Sequence, residues 1–114
     1  MDFNEYQKQA KSTDVFDKKP TTLNEPAFVA KLLGLNGETG EVSEKFKKII
    51  RDKNGIISEE DKLEIKKELG DVLWYLAIIS YYMDISLEDV AKTNIEKLAS
   101  RKNRNQLHGS GDNR

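Results

Sequence analysis

The sequence predicts an all-α protein, a four-helix fold within one domain that spans residues 1–114. The helix-forming residues Lys, Glu, Leu and Ala are abundant, whereas the chain contains only two prolines. Apolar residues recur at helical spacing, and no pair of adjacent segments shows the alternating pattern of a β-hairpin. A length of 114 residues is typical of a single domain.

Local signals predict the first two helices. The first helix spans about Asp2–Thr13, and a loop marked by Pro20 follows it. Thr22 and Glu25 have the spacing of a capping box, which predicts that a second helix begins there. We expect this helix to run to about Arg51. The apolar residues that share its broad core-facing stripe are Phe28, Leu32, Leu35, Val42, Phe46 and Ile49.

The third and fourth helices begin at serine residues. After an Asn-Gly turn, Ser58 precedes three acids, a pattern that suits the positive end of a helix dipole, and this third helix runs to about Met83. Ser86 begins the fourth helix, which ends near Asn103. From about residue 104 the chain is polar and contains glycine, so we expect a loop that is mobile when nothing is bound.

The segment Val72–Tyr82 predicts self-association. It is apolar nearly all the way round the third helix, and a helix that is hydrophobic on every side is buried on every side. Four helices cannot easily surround one of their own members. We therefore expect a homo-oligomer, with a dimer as the minimum.

Composition excludes several classes of partner. The net charge is −1, whereas proteins that bind nucleic-acid polymers normally carry a basic balance. The longest apolar run, Val72–Met83, is shorter than the roughly 20 apolar residues of a membrane span. The first residues lack the apolar core of a signal peptide. We therefore expect a cytoplasmic protein whose partners include neither a membrane nor a nucleic-acid polymer.

Two pairs of acids are the main chemical signal. Glu38 and Glu41 are three residues apart on the second helix, and Glu68 and Asp71 have the same spacing on the third, so each pair shares a helix face. A hairpin of the two helices would bring the pairs together, and a hard divalent cation would relieve their repulsion. Because no His or Cys lies nearby, the oxygen donors favour Mg²⁺, or Mn²⁺, over zinc.

The glycines around these acids support the same interpretation. Gly34, Gly37 and Gly40 lower the stability of the second helix in the same stretch that contains its clustered glutamates. Their missing side chains leave room for a metal ion, its waters or a close neighbouring helix. The alternative is a solvated ion-pair face, because a chain with 20 acidic residues contains such pairs by chance.

Basic and aromatic residues extend the candidate site. Four cations are candidates for holding phosphate, although most lysines on helical proteins are solvated: Lys45, Lys48, Lys97 and Arg101. Trp74 and Tyr75 are candidates for stacking on a base, although aromatic residues at such positions more often belong to the core.

These motifs resemble the MazG-like, all-α nucleoside triphosphate pyrophosphohydrolases. That family is marked by Glu-x-x-Glu, a spacer and Glu-x-x-Asp, which "GLNGETGEVSEKFKK" and "KKELGDVLWYLA" match. The phrase "TNIEKLASRKNR" resembles the Asn-x-x-Lys-Leu-x-x-Arg stretch of the family's last helix, and "GSGDNR" is similar to the tail of small bacterial and phage members. The resemblance covers about Phe3 to Arg114.

The resemblance implies a function and assigns residues to it. It implies a helical dimer or tetramer that hydrolyses (deoxy)nucleoside triphosphates between the α and β phosphates, giving the monophosphate and pyrophosphate in nucleotide-pool housekeeping. The four motif acids, Glu38, Glu41, Glu68 and Asp71, are the implied Mg²⁺ ligands and catalytic residues. The implied nucleotide contacts are Tyr75, Asn94, Lys97 and Arg101.

Two alternatives to this function remain open. Within the same fold, the substrate would be phosphoribosyl-ATP. In a different class, the chain would be a non-catalytic helical oligomer that binds a nucleotide or a protein partner. The residue pattern also leaves open which carboxylate orients the attacking water, with Glu41 as one candidate.

Overall fold

A computed structural model of the protein describes residues 1–16 and 18–114. Within these residues the chain forms four α-helices and no β-strand, which confirms the predicted all-α class. The helices are α1 (Phe3–Ser12), α2 (Pro26–Lys53), α3 (Glu59–Tyr82) and α4 (Leu87–Asn103). In the described part of the chain, none of the helices is both long and apolar enough to cross a membrane.

Side-chain caps begin three of the helices. The Asp2 carboxylate accepts a hydrogen bond from the Glu5 amide at 2.8 Å, which caps α1. Ser58 and Asp61 form a complete capping box at the start of α3, and Ser86 caps α4. Hydrogen bonds from Lys53 and from Ser58 lower the pKa of Asp61 to about 2. The predicted starts of α3 and α4 are therefore confirmed.

The predicted start of α2 is three residues too early. The N-cap is Glu25, which makes no side-chain cap hydrogen bond, and Pro26 is the first helical residue. The Glu25 carboxylate instead accepts a hydrogen bond from the Thr22 amide at 2.8 Å and bonds Thr21 as well. The acid thus closes the turn before the helix, and these hydrogen bonds lower its pKa.

Helices α2 and α3 form an antiparallel hairpin that carries the candidate site. The hairpin reverses at Asn54, which ends α2 in the left-handed conformation at φ 53°, and at Gly55, whose φ is 74°. Helix α1 packs against α3, and α4 contacts α1 and α3. The buried core lies where these helices meet and consists of Ala10, Ala27, Phe28, Ala77, Ile78, Tyr82 and Leu87.

A buried ion pair joins the segment after α1 to the hairpin. The Lys31 ammonium lies 2.9 Å from the Asp14 carboxylate, and these side chains are only 6% and 3% exposed. The Tyr82 hydroxyl donates to the same carboxylate. Burial by itself would raise the pKa of Asp14, but the hydrogen bonds from Tyr82 and Lys31 outweigh it and hold the pKa below its ordinary value. The Lys31 ammonium also lies 5.2 Å from the centroid of the Trp74 ring.

Much of the expected core is exposed in the single chain. Of the predicted stripe on α2, Phe28 and Ile49 are buried, whereas Leu32 and Phe46 are more than 40% exposed. On α3, Leu76 is 41% exposed, although its segment was expected to be buried on every side. The radius of gyration of 17.0 Å also exceeds the value of about 13 Å for a compact chain of this length. The apolar stripes are therefore wider than the surface that one copy of the chain covers.

Candidate functional site

Three of the four motif acids meet across the α2–α3 hairpin. One carboxylate oxygen each from Glu38, Glu68 and Asp71 lies within 4.8 Å of the other two. Glu38 comes from α2, and the other two residues come from α3 with their three-residue spacing. Glu38 and Glu68 are half-buried, and Asp71 is exposed. The antiparallel pairing thus gathers acids that are about 30 residues apart into one group, which we call the acidic cluster.

Glu41 lies beside the acidic cluster and not within it. Its side chain is exposed, and among the described residues its carboxylate is not one of the mutually close oxygens. Its charge nevertheless acts on Glu38, because repulsion from Glu41 contributes to the raised pKa of that residue. The structure therefore brings together three of the four predicted ligands and places the fourth at the edge of the group.

The electrostatics of the acidic cluster favour a bound cation. Partial burial raises the pKa of Glu38, and repulsion from Asp71, Glu68 and Glu41 raises it further. The nearest counter-charge is the Lys45 ammonium, which lies 3.5 Å from a Glu68 oxygen. One ammonium does not balance four carboxylates. An all-oxygen donor set of this kind fits a hard divalent ion such as Mg²⁺ or Mn²⁺.

The glycines of the hairpin differ in their surroundings. A side chain at Gly34 would collide with the ring of Tyr75, which approaches from α3. In contrast, a Cβ atom at Gly37, Gly40 or Gly70 would have no described atom within 4 Å. The expectation that a missing side chain lets a neighbouring helix come close therefore holds for Gly34. The other three glycines leave a stretch of helix surface that no described atom contacts.

Lys45 and Lys48 line a cleft beside the acidic cluster. The cleft has a volume of about 250 Å³ and lies toward the hairpin turn. Its other lining residues are Ile49, Asp52, Lys53, Asp61 and Glu64. Lys45 connects the cleft to the acidic cluster through its contact with Glu68. Lys53 and Glu64 are not among the site residues predicted from the sequence, although Glu64 precedes Glu68 by four residues and so shares its helix face.

The candidate contacts on α4 lie in a different part of the chain. Asn94 and Lys97 line a shallow groove of about 390 Å³ on α4. Helix α4 packs against α1 and α3, and within the described residues it makes no close backbone contact with α2. The structure of one chain therefore separates these residues from Glu38.

Arg101 is buried beneath the C-terminal tail. Its side chain is only 5% exposed, and its guanidinium donates to the Asp112 carbonyl oxygen at 2.6 Å. The Lys97 ammonium lies 3.2 Å from the Asp112 carboxylate. Arg114 folds the tail back by donating to the carbonyl oxygens of Gln106 and Leu107. The expected loop is therefore packed onto α4, and it covers a residue that was predicted to contact the nucleotide.

Comparison with known proteins agrees with the class that the geometry defines. Four helices, two of which contribute carboxylates to the acidic cluster, define an all-α protein with a candidate divalent-metal site. Residues 29–105 match the MazG nucleotide pyrophosphohydrolase domain. The chain is 49% identical over 82 residues to the Gene 37 protein of Mycobacterium phage L5, covering 72% of each chain. No solved structure matches the chain. The protein belongs to the MazG nucleotide pyrophosphohydrolase family.

Proposed function

We propose that the protein is a Mg²⁺-dependent pyrophosphohydrolase of nucleoside or deoxynucleoside triphosphates. The observation that carries this proposal is the convergence of Glu38, Glu68 and Asp71, which come from the two halves of the family's acidic motif. Water adds across the bond between the α and β phosphates, and the products are the nucleoside monophosphate and pyrophosphate. The role that we attach to this activity is nucleotide-pool housekeeping in the cytoplasm.

The acidic cluster would hold the metal ion. Its three mutually close oxygens supply hard anionic ligands, and Glu41 stands close enough to act on Glu38 electrostatically. When bound, Mg²⁺ or Mn²⁺ reverses the local charge for an anionic substrate and lowers the pKa of a water that it binds. Without such an ion, the four acids would repel a triphosphate.

Glu41 is our choice for the residue that receives the proton of the attacking water. It is exposed beside the cluster, so its oxygens are available to a water molecule. As the water oxygen bonds to phosphorus, the bridging bond to the leaving group breaks, and the proton passes to the carboxylate. Lys45 and Lys48 line the adjacent cleft, where their ammonium groups would offset the negative charge of the phosphates.

A second copy of the chain would complete the site. Helix α4 carries Asn94, Lys97 and Arg101, which one chain holds apart from α2. The exposed apolar residues of α2 and α3, such as Phe46 and Leu76, supply a surface on which a second copy can pack. We therefore propose a homodimer or tetramer, which light scattering at micromolar concentration tests. A monomer at that concentration would contradict this part of the proposal.

A panel of all nucleoside and deoxynucleoside triphosphates with Mg²⁺ tests the activity. The expected products are monophosphate and pyrophosphate, separated by anion-exchange chromatography. A matched pair of variants controls for the loss of one negative charge. Glu68→Gln should abolish turnover, whereas Glu96→Gln should not, since Glu96 is exposed on α4 and lies beside the exposed Lys92. Orthophosphate and diphosphate as products would refute the proposal.

Phosphoribosyl-ATP added to the panel, and calorimetry beside it, separate the two alternatives. Turnover of phosphoribosyl-ATP without turnover of any triphosphate would assign the protein to that other activity of the fold. Calorimetric binding of Mg²⁺ and a non-hydrolysable nucleotide without any turnover would identify a binding module in place of an enzyme.

A further inference from the structure

The contact between Gly34 and Tyr75 is the closest approach of a side chain to any glycine of the hairpin. A Cβ atom built at Gly34 would lie less than 3.0 Å from two ring carbons and the hydroxyl oxygen of Tyr75, a separation that real Cβ atoms do not adopt. Gly37 lies one turn further along the same helix, where a Cβ atom would meet no described atom within 4 Å. The ring therefore needs glycine at position 34 and not at position 37.

The position of this contact relates it to the acidic cluster. Gly34 lies four residues before Glu38 on α2, and Tyr75 lies four residues after Asp71 on α3. Four residues are about one helical turn, or a rise of about 6 Å, on both helices. The half-buried Tyr75 ring thus stands beside the acidic cluster, on the side away from the hairpin turn and from the lysine cleft.

Trp74 supports the ring from a second direction. Its ring meets Tyr75 edge-on, with centroids 4.9 Å apart and an interplanar angle of 86°. The indole N–H donates to the Thr13 hydroxyl at 2.8 Å and to the Ala10 carbonyl oxygen at 3.2 Å, which fixes Trp74 against the end of α1. Tyr75 is therefore held between the bare backbone of α2 at Gly34 and an anchored indole.

We infer that Gly34 is a positioning residue for nucleoside recognition, acting by letting the Tyr75 ring lie against α2 as one wall of the site. This inference rests on the proposed function. The acidic cluster serves the triphosphate, and the ring, one turn away, contacts the nucleoside. A side chain at position 34 would push the ring off α2 and weaken contact with the nucleoside while leaving the phosphate-binding groups in place.

The first test compares Gly34→Ala with Gly37→Ala. Both variants add one methyl group to α2, but only the first collides with Tyr75. For the preferred nucleotide, Gly34→Ala should raise KM by about five- to tenfold, the range of one aromatic contact, with little change in kcat. Inorganic tripolyphosphate with Mg²⁺ lacks a nucleoside, so its inhibition constant should change less than twofold. Gly37→Ala should change neither quantity.

A double-mutant cycle asks whether Gly34 acts through Tyr75. Tyr75→Leu removes the ring and should itself raise the nucleotide KM. Adding Gly34→Ala to Tyr75→Leu should then have no further effect, because no ring is left to displace. If Gly34→Ala does not fold, Tyr75→Leu alone carries the test, with a raised nucleotide KM and an unchanged tripolyphosphate inhibition constant as the expected result.

A spectroscopic measurement tests the positioning without any substrate. Trp74 is the only tryptophan of the chain, and it touches Tyr75, so its fluorescence reports on the ring. Gly34→Ala should alter this emission and Gly37→Ala should not. An unchanged emission and KM in Gly34→Ala, or an equal weakening of nucleotide and tripolyphosphate, would overturn the inference. Binding of tripolyphosphate but of no nucleotide by the wild type would overturn it too, while leaving the metal-phosphate chemistry standing; no turnover at all would count against the proposed function instead.

Discussion

Asp14→Asn should destabilise the protein strongly, because it leaves the buried Lys31 ammonium without its counter-charge. The substitution keeps the shape of the side chain and removes only the charge. Since the two side chains are 3% and 6% exposed, solvent cannot replace the lost partner. Breaking a buried ion pair in this way costs about 3–5 kcal/mol. That is a large fraction of the total stability of about 5–15 kcal/mol that a domain of this kind has.

Urea unfolding followed by circular dichroism measures this cost. The matched control is Lys62→Ala, which removes an ion pair of similar length, 2.7 Å to Glu59, in which both side chains are more than half exposed. Asp14→Asn should lower the urea midpoint markedly, and the control should leave it nearly unchanged. A second comparison separates burial of the charge from packing.

The double variant Asp14→Asn with Lys31→Met removes both charges while keeping the volume. It should recover much of the loss, because the unpaired ammonium is then gone. Equal midpoint shifts in Asp14→Asn and Lys62→Ala, or a double variant less stable than Asp14→Asn, would contradict the assigned role of the buried ion pair.

The remaining predictions concern pH, the metal site and assembly. Because the folded-state pKa of Asp14 lies below its ordinary value of 3.8, the ion pair stabilises the protein above about pH 4 and loses this effect as the pH falls through the folded pKa. The stability difference between wild type and Asp14→Asn should therefore narrow in acid, and a gap that widened would contradict the assignment. Asp71→Asn should abolish Mg²⁺-dependent turnover with an unchanged circular dichroism spectrum, and retained activity would remove this residue from the metal site. Leu76→Glu should shift the light-scattering mass toward the monomer, since a charge would then lie on the exposed apolar face of α3; an unchanged mass would place the interface elsewhere.

The helix boundaries that local interactions control were predictable. Ser58 binds the Asp61 amide three residues away, and Ser86 binds the amide of Asp89 at the same spacing, so short stretches of chain contain all the participants. The start of α2 was not predictable in the same way. The Glu25 carboxylate accepts a hydrogen bond from the Thr22 amide, as in one half of a capping box. The Glu25 amide, however, bonds the Thr22 carbonyl oxygen rather than its hydroxyl, and the helix begins only at Pro26.

The candidate site was predictable in its residue types and only partly in its membership. Spacing identified both acid pairs, since residues three apart share a helix face whatever the helix packs against. Whether Glu41 joins the other acids depends on the rotation of α2 about its axis, and the structure leaves it at the edge. Likewise, the motif on α4 could not show that the tail covers Arg101.

The sequence by itself determined four helices, the serine caps of α3 and α4, and the alignment of carboxylates along two helix faces, because these properties depend on neighbours within a few residues. Only the tertiary structure decided which three acids meet, that Lys31 forms an ion pair with Asp14, and that the Tyr75 ring packs against Gly34. Such contacts join residues that are distant in the chain. Their geometry depends on how whole helices rotate and pack. That packing results from many weak contacts added together, so no short motif determines it.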